Sequence, residues 1–262
     1  FAVHDQIEGR TDLVKKYSNK LKGTDPPAGE PFILETNPDE KNPITRTALY
    51  SLLGDKKYNG YKIFSNESVK IKQNQDNVEF AGMVGSMDES LGRIMKKLKE
   101  LELDQNTVVI FYSDNGGMSA ANFYYPERKI SKNELDKAFA TSNLPLRGGK
   151  GWMYEGGIRV PLIIKWPGKG LQGVVSIVPV TSPDFFPTIL EMTGIKQESN
   201  DQKDGKSIVP LLKGDQELGR EAIYWHFPHY SNHGNHSPGG AVRSGDYKLL
   251  EYYENNTVQL FN

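Results

Sequence analysis

The longest hydrophobic pattern in the chain predicts an amphipathic helix over residues 77–101. Apolar side chains recur there at intervals of three and four residues, which places them on one stripe of a 3.6-residue repeat. We expect this stripe to pack against a sheet, and a methionine-rich binding groove is the alternative. The stripe consists of Phe80, Met83, Val84, Met87, Leu91, Ile94, Met95, Leu98 and Leu101.

Consecutive apolar residues predict buried strands at residues 108–112 and 160–166, and residues 174–180 resemble a third strand. Runs without polar alternation are typical of strands that are buried on both faces of a parallel sheet. The long helix before the first of these strands completes half of a βαβ unit. The stretch "TSPDFFPTILEMTG" predicts another helix, with Ser182 as its N-cap and Gly194 just past its end.

The first third of the chain gives weaker signals. Residues 1–4 are typical of a strand end, and residues 12–21 predict a helix that stops at Gly23. Residues 22–76 are rich in Pro, Asn, Lys and Gly, which predicts long surface loops with one short helix near residues 47–53.

Beyond residue 215 the pattern changes to short aromatic runs such as "AIYWHFP", "YKLLEYY" and "VQLF", separated by Gly and Asn. Such runs predict a small antiparallel sheet. We therefore expect an α/β domain over residues 1–215, with a mixed, largely parallel sheet flanked by helices. A small antiparallel α+β C-terminal domain should then begin at residue 216 and occupy residues 216–262.

Composition narrows the possible functions only a little. The 262 residues carry 32 Lys and Arg against 33 Asp and Glu, and this balance gives no indication of nucleic-acid or membrane binding. No apolar stretch approaches the length of a membrane-spanning helix. The absence of cysteine excludes disulfides and thiolate chemistry within these residues. Because the sequence starts at Phe1 without Met or a signal peptide, we expect it to be a fragment or a processed piece.

Polar residues follow the predicted strand at residues 108–112 directly, in the stretch "SDNGG". In open α/β sheets, ligand sites lie just beyond the carboxyl ends of strands. The oxygens of Asp114 and Asn115 are hard ligands that suit Ca²⁺ or Mg²⁺. The same residue types are also favoured in plain turns, so this stretch alone leaves both interpretations open.

A second candidate lies in the glycine-rich stretch "LRGGKGWMYEGGIRVP". Arg147 and Lys150 stand among glycines, where they can approach an anion such as a tetrahedral oxyanion. The alternative is a surface loop with solvated charges. His4, at the end of the first predicted strand, is a candidate acid or base, although a lone histidine there is more often structural.

The chain is identified as a member of the sulfatase family by four blocks in a fixed order: "SDNGG", "GGKGWMYEGGIRVPLIIKWPG", "TSPDFFPTILEMTG" and "DGKSIVPLLKG". The similarity extends through nearly the whole chain. "FAVHDQI" resembles the strand that carries the family's active-site histidine, and "AVRSGDYKLLEYY" resembles its small C-terminal domain. The resemblance implies an alkaline-phosphatase-like fold.

The resemblance also implies roles for individual residues. Asp114 and Asn115 would bind the active-site calcium, Lys150 would contact the sulfate oxygens, and His4 would help to protonate the leaving alcohol. A dication and an ammonium together would stabilise charge on the transferring sulfuryl group. The "EGG" block would be mainly structural. Family members often have His-x-Pro where this chain has His4-Asp5-Gln6.

The family's nucleophile is absent from this sequence. In sulfatases it is a formylglycine made from Cys or Ser in a Cys/Ser-x-Pro-Ser-Arg motif, and no such motif occurs here. The family's N-terminal acidic pair, which supplies further calcium ligands, is also missing. So are the Lys and His that follow the nucleophile. We therefore expect an incomplete Ca²⁺ site and no turnover by these residues alone.

Four of the five histidines lie in "YWHFPHYSNHGNH", which resembles a stretch near the pocket entrance of carbohydrate-active sulfatases. His226 and His229 are therefore possible substrate-facing residues, with a structural aromatic turn as the alternative. The family resemblance supplies no transition-metal site there.

The resemblance implies a sulfuric ester hydrolase that acts on a sulfate monoester through a sulfo-enzyme intermediate on formylglycine, and a carbohydrate sulfate is the expected substrate class. The alternatives are a phosphate or phosphonate monoester hydrolase of the same superfamily and a non-catalytic sulfated-glycan-binding homologue. The expected partners are a sulfated small molecule or glycan and the missing N-terminal segment. The resemblance implies an extracytoplasmic location, whether periplasmic, secreted or lysosomal.

Overall fold

The structure, a computed structural model, describes residues 9–24, 32–35, 69–119, 141–196, 204–229, 237–254 and 256–262. The predictions for residues 1–4 and 47–53 lie outside these ranges. In chain order the described elements are α1 (Thr11–Lys22), β1 (Phe32–Glu35), β2 (Val69–Lys72), α2 (Val78–Glu100), β3 (Val109–Tyr112), α3 (Glu155–Ile158), β4 (Leu162–Lys165), α4 (Phe185–Thr193), α5 (Val209–Leu212), β5 (Ile223–Phe227), β6 (Gly239–Ser244), β7 (Tyr247–Tyr252) and β8 (Thr257–Phe261).

Helix α2 confirms the amphipathic helix predicted from the hydrophobic repeat. It begins after Asn77, whose side chain accepts a hydrogen bond from the Phe80 backbone N–H at 3.1 Å. It packs against α1, which also follows its prediction. The two helices approach closely because Gly82 and Gly85 face α1, and a Cβ at Gly85 would lie 3.0 Å from the Tyr17 hydroxyl.

The apolar stripe of α2 lies on the opposite side from these two glycines, as the 3.6-residue repeat requires. Met87 is 48% exposed and Ile94 is 57% exposed. The sheet that was expected to cover the stripe is therefore not found among the described residues, in which α1 is the main partner of α2.

Strands β3 and β4 pair antiparallel, with Val109 opposite Lys165 and Tyr112 opposite Leu162. The parallel pairing expected for these runs is not seen, because every strand pairing in the described ranges is antiparallel. The chain between β3 and β4 returns to the edge where β3 ended, so β4 runs back along β3. A continuous apolar run does not by itself specify strand direction.

The third strand predicted at residues 174–180 does not form. This segment is irregular, and Val175 and Ile177 are 89% and 91% exposed. The helix that follows does form as α4, after a short 3₁₀ turn at Ser182–Asp184, and it ends at Gly194 with φ 75°.

Ser182 is not the N-cap that was predicted: Thr181 caps the 3₁₀ turn at Ser182–Asp184, and Asp184 is the N-cap of α4 itself. The Asp184 side chain accepts a hydrogen bond from the Thr181 backbone N–H at 2.7 Å, which completes a capping box one residue earlier than expected. Asp184 is fully buried and also pairs with the Arg220 guanidinium and with the Lys206 backbone N–H. This carboxylate thus joins the start of α4 to the segment that leads into β5.

The C-terminal residues form the antiparallel sheet that the aromatic runs predicted, with strand order β5-β6-β7-β8. Its inner face packs against residues 152–154 of the glycine-rich stretch. This contact forms the main buried cluster, made up of Trp152, Met153, Tyr154, Ala241, Leu250 and Tyr252. The sheet therefore supports the segment that carries Lys150. The domain boundary at residue 216 stays a prediction.

Candidate active site

Strand β3 delivers Asp114 and Asn115 to the edge of its sheet, as the sequence predicted. The Asp114 side chain is exposed and Asn115 is half-buried. The Ser113 hydroxyl donates a hydrogen bond to the Asn115 carbonyl oxygen at 3.0 Å, which tightens the turn after the strand. Both residues line an open groove of about 1690 Å³ that Glu155 and Trp225 also line.

Glycines let this turn dock directly on the glycine-rich stretch. The Gly116 backbone N–H donates to the Gly157 carbonyl oxygen at 2.8 Å. A Cβ at Gly116 would lie 1.7 Å from the Gly156 carbonyl oxygen, so no larger residue fits without moving the backbone. The "GG" after Asp-Asn therefore allows a close approach of two backbones, in addition to any turn that it favours.

Lys150 is brought beside the strand-end turn. Its backbone N–H donates to the Gly117 carbonyl oxygen at 3.1 Å. Burial lowers the pKa of the Lys150 ammonium, and the negative charge of Asp114 opposes that shift. The structure thus brings Lys150 together with the two predicted metal ligands, although they are separated by a long stretch of sequence.

Arg147 lies against aromatic rings. Its guanidinium is 4.1 Å from the ring centre of Tyr154 and 5.6 Å from that of Phe261. Tyr154 in turn donates a hydrogen bond to the Gln259 side chain at 2.8 Å. These contacts link the glycine-rich stretch to β8. The substrate-binding role suggested for Arg147 stays a prediction.

Glu155, the first residue of α3, is held by two cations of the C-terminal sheet. It accepts a hydrogen bond from the buried Lys248 ammonium at 2.9 Å and lies 3.6 Å from Arg243. The structural role expected of the "EGG" block agrees with these contacts. Sequence reasoning missed both cations, although strand alternation in "YKLLEYY" places Lys248 on the same face as the buried Leu250 and Tyr252.

The histidine candidates are less closely connected to Lys150. His226 projects from β5 on the face opposite to Trp225 and Phe227, which pack against the buried cluster. Its Nδ1 lies 2.9 Å from the Tyr253 hydroxyl. His229 contacts the ring of Phe227 edge to face. His4 lies outside the described residues, and the substrate-facing roles of His226 and His229 stay predictions.

The side-chain oxygens of Asp114 and Asn115 are the type of ligand that a hard cation prefers. In the described part of the chain, no hydrogen-bond donor contacts the Asp114 carboxylate or the Asn115 side chain. Ca²⁺ takes six to eight oxygen ligands, so these two residues supply a fraction of a shell. The described residues contain no group of three His, Cys, Asp or Glu side chains that could hold a metal ion.

The strand-end residues Asp114 and Asn115 thus lie beside a loop lysine in a protein that combines helices and sheets. Comparison with protein families identifies the family. The "Sulfatase" model matches residues 20–195, and the "N-sulphoglucosamine sulphohydrolase, C-terminal" model matches residues 149–262. The chain belongs to the sulfatase family.

Curated relatives agree with this assignment. A "Sulfatase" of Formosa agariphila is 35% identical over 202 residues, which are 70% of this chain and 33% of that protein. The steryl-sulfatase of Mus musculus is 32% identical over 148 residues, covering 56% and 22% respectively. The N-acetylgalactosamine-6-sulfatase of Canis lupus familiaris is 33% identical, covering 56% and 25%. The chain thus spans a third or less of the length of these relatives.

Similar solved structures identify the fold class. Ps i-CgsB in complex with k-i-k-neocarrahexaose superposes with a TM-score of 0.57 at 29% identity, over 72% of this chain and 37% of that chain. A protein solved with its substrate D-glucosamine-2-N,6-O-disulfate gives 0.53 at 17% identity, over 98% and 51%. The fold is therefore that of the alkaline-phosphatase-like sulfatases, with an antiparallel four-stranded sheet at the C-terminus. None of the described helices is long and apolar enough to cross a membrane.

Proposed function

We propose that this chain contributes Lys150, Asp114 and Asn115 to the active site of a hydrolase that cleaves a sulfate monoester. The observation that carries the proposal is the hydrogen bond from the Lys150 backbone N–H to the Gly117 carbonyl oxygen. This bond fixes a cationic residue beside a turn with two free oxygen ligands, in a chain of the sulfatase family.

The chemistry follows from these side chains. The Lys150 ammonium binds a sulfate oxygen and stabilises the negative charge that the transition state spreads over the sulfuryl group. The negative charge of Asp114 favours the charged form of Lys150, because it opposes the fall in the Lys150 pKa that burial causes. Asp114 and Asn115 hold part of the Ca²⁺ shell. In this proposal Ca²⁺ supplies positive charge beside the sulfate, and a formylglycine outside these residues supplies the nucleophile.

The proposed substrate class is a carbohydrate sulfate. Support comes from relatives that include an "N-acetylgalactosamine-6-sulfatase" and an "Ulvan-active sulfatase", and from the solved complex with a neocarrahexaose. Steryl-sulfatases are also among the relatives, so a sterol sulfate is the competing substrate. In line with its family we further propose an extracytoplasmic location, which cell fractionation would test.

The test is an assay of the natural full-length protein on sulfated oligosaccharides, a steryl sulfate, an aryl sulfate and an aryl phosphate. Calcium should be supplied and then removed with a chelator. We expect sulfate release that depends on calcium and is fastest with an oligosaccharide. Faster release of phosphate would favour a phosphate or phosphonate monoester hydrolase, and binding without release of either would favour a glycan-binding homologue.

A matched pair of variants tests the role of Lys150. Lys150→Ala should reduce kcat/KM by about a hundredfold or more, because it removes a charge that stabilises the transition state. Lys169→Ala is the control. Lys169 is exposed and follows β4, at the end of the β3–β4 pair that is far from Asp114. Its loss should leave kcat/KM unchanged. Equal effects of the two variants would contradict the assignment.

A further inference from the structure

One side chain, Asn143, contacts both segments of the candidate site. Its Oδ1 accepts a hydrogen bond from the Gly117 backbone N–H at 3.0 Å. Its Nδ2 donates to the Gly117 carbonyl oxygen at 2.8 Å and to the Gly148 carbonyl oxygen at 3.0 Å. Gly117 lies two residues after Asn115, and Gly148 lies two residues before Lys150. The amide therefore bridges the metal turn and the lysine segment.

The surroundings of Asn143 show that the bridge is tightly fitted. A Cβ at Gly149 would lie 2.8 Å from Asn143 Nδ2 and 2.3 Å from the Ser119 hydroxyl. A Cβ at Gly117 would lie 2.7 Å from Asn143 Oδ1. Glycines thus leave room for the side chain at both ends of the bridge. Ser119 adds a parallel link by donating to the Gly148 carbonyl oxygen at 3.1 Å.

The amide group is chemically suited to this position. One Gly117 peptide unit presents both an N–H and a C=O to Asn143, and Gly148 presents another C=O. An amide offers one acceptor and two donors, which matches this demand. The carboxylate of an aspartate would keep the acceptor but would point oxygen at two carbonyl oxygens. An aliphatic side chain would leave all three backbone groups without this partner.

We propose that Asn143 is a positioning residue that holds the Asp114–Asn115 turn and Lys150 in one rigid frame. The catalytic part of this inference rests on the proposed function, since it assumes that the turn binds Ca²⁺ and that Lys150 binds sulfate. Asn143 acts through the backbone of Gly117 and Gly148 and reaches no substrate. Its loss should therefore disturb both segments at once, although they are distant in sequence.

The first experiment measures amide hydrogen exchange in the natural full-length protein, with and without Asn143→Ala. We expect exchange to become about tenfold faster in peptides that cover residues 113–118 and in peptides that cover residues 146–151, because the bridging hydrogen bonds are lost. Asn77→Ala is the matched control. The Asn77 side-chain oxygen likewise accepts a hydrogen bond from a backbone N–H, that of Phe80 at the start of α2, and its loss should accelerate exchange in α2 but not in the two site segments.

The second experiment measures calcium affinity, kcat and KM for the same variants and for Asn143→Asp. Asn143→Ala should weaken calcium binding and lower kcat by about tenfold each with a smaller change in KM, as losses of supporting contacts do. Asn143→Asp keeps the acceptor and most of the volume, which guards against loss of the fold, and it should show the same pattern. Asn77→Ala should change neither calcium affinity nor kcat.

The outcomes separate the two proposals. Faster exchange in only one of the two segments would overturn the bridge, as would unchanged calcium affinity and kcat in an active protein that carries Asn143→Ala or Asn143→Asp. A wild-type protein that releases no sulfate would overturn the proposed function instead. In that case, faster exchange in both segments would still support the bridge.

Discussion

The buried ammonium of Lys248 lies 2.9 Å from the carboxylate of Glu155, which joins β7 to the stretch that carries Lys150. The Lys248 side chain is 7% exposed and also lies 5.2 Å from the ring centre of Trp225. Arg243 approaches the second Glu155 oxygen at 3.6 Å. Glu155, the first residue of α3, thus compensates the positive charges of two side chains of the C-terminal sheet.

We predict that Glu155→Gln destabilises the protein by about 3 kcal/mol, because it leaves the Lys248 ammonium buried without a compensating charge. Chemical denaturation of the natural full-length protein would measure this change. The control is Glu100→Gln, which breaks an exposed pair with Lys97 and should cost about 0.5 kcal/mol or less. Similar losses in the two variants would show that the buried pair contributes no more than a surface pair.

The lowered pKa of Lys248 predicts that folding stability rises at high pH. Burial lowers the pKa of Lys248, and hydrogen bonding to Glu155 opposes the shift only in part. Between this lowered pKa and the ordinary lysine value, the unfolded chain binds more protons than the folded protein, so the Lys248 contribution to stability increases with pH. Lys248→Met should remove this increase. An identical alkaline pH dependence of the unfolding free energy in wild type and variant would contradict the prediction.

The lowered pKa of Asp184 predicts a loss of folding stability at low pH. Burial raises the pKa of Asp184, but hydrogen bonds from Arg220 and from the Lys206 and Thr181 backbones outweigh it, so the pKa lies below its ordinary value. The stabilisation is complete above the ordinary aspartate pKa and is lost as pH falls through the lowered one. The stability difference between wild type and Asp184→Asn should therefore shrink in acid. Denaturation curves at a series of pH values would show it, and a constant difference would disprove it.

Gly116→Ala should disrupt the candidate site, because its Cβ would meet the Gly156 carbonyl oxygen at 1.7 Å. Because the backbones at Gly116 and Gly156 must separate, we expect the protein to lose several kcal/mol of stability. Where the fold survives, it should lose calcium-dependent activity. Gly92→Ala is the control. Among the described residues, no atom outside the neighbouring helix backbone lies within 4 Å of a Cβ there, and alanine should stabilise α2 by up to about 1 kcal/mol. Normal activity and stability in Gly116→Ala would disprove the close approach.

Local patterns predicted much of the architecture. Helices α1, α2 and α4 follow from apolar spacing and from end residues such as Gly23 and Gly194, because these signals act within a few residues of sequence. The C-terminal sheet follows from short aromatic runs and turn residues. The run at residues 174–180 shows the limit of such reasoning. It is apolar enough for a strand, yet it finds no pairing partner in the described ranges.

Part of the candidate site was predicted in the same way. Asp114, Asn115 and Lys150 stood out because glycines surround them and because their motifs resemble those of a known family. Asn143 did not stand out, since a single asparagine carries no pattern. Its importance depends on Gly117 and Gly148 meeting at one point in space.

The sequence by itself determined the family, the positions of the main helices and the oxygen and ammonium groups available for chemistry. Only the tertiary structure decided that β4 runs antiparallel to β3, that Glu155 pairs with Lys248, and that Asn143 bridges the two site segments. The physical reason is the range of the interactions. Helix caps and apolar repeats act between near neighbours in the chain, whereas these pairings exist only after distant segments pack and exclude water from the groups they join.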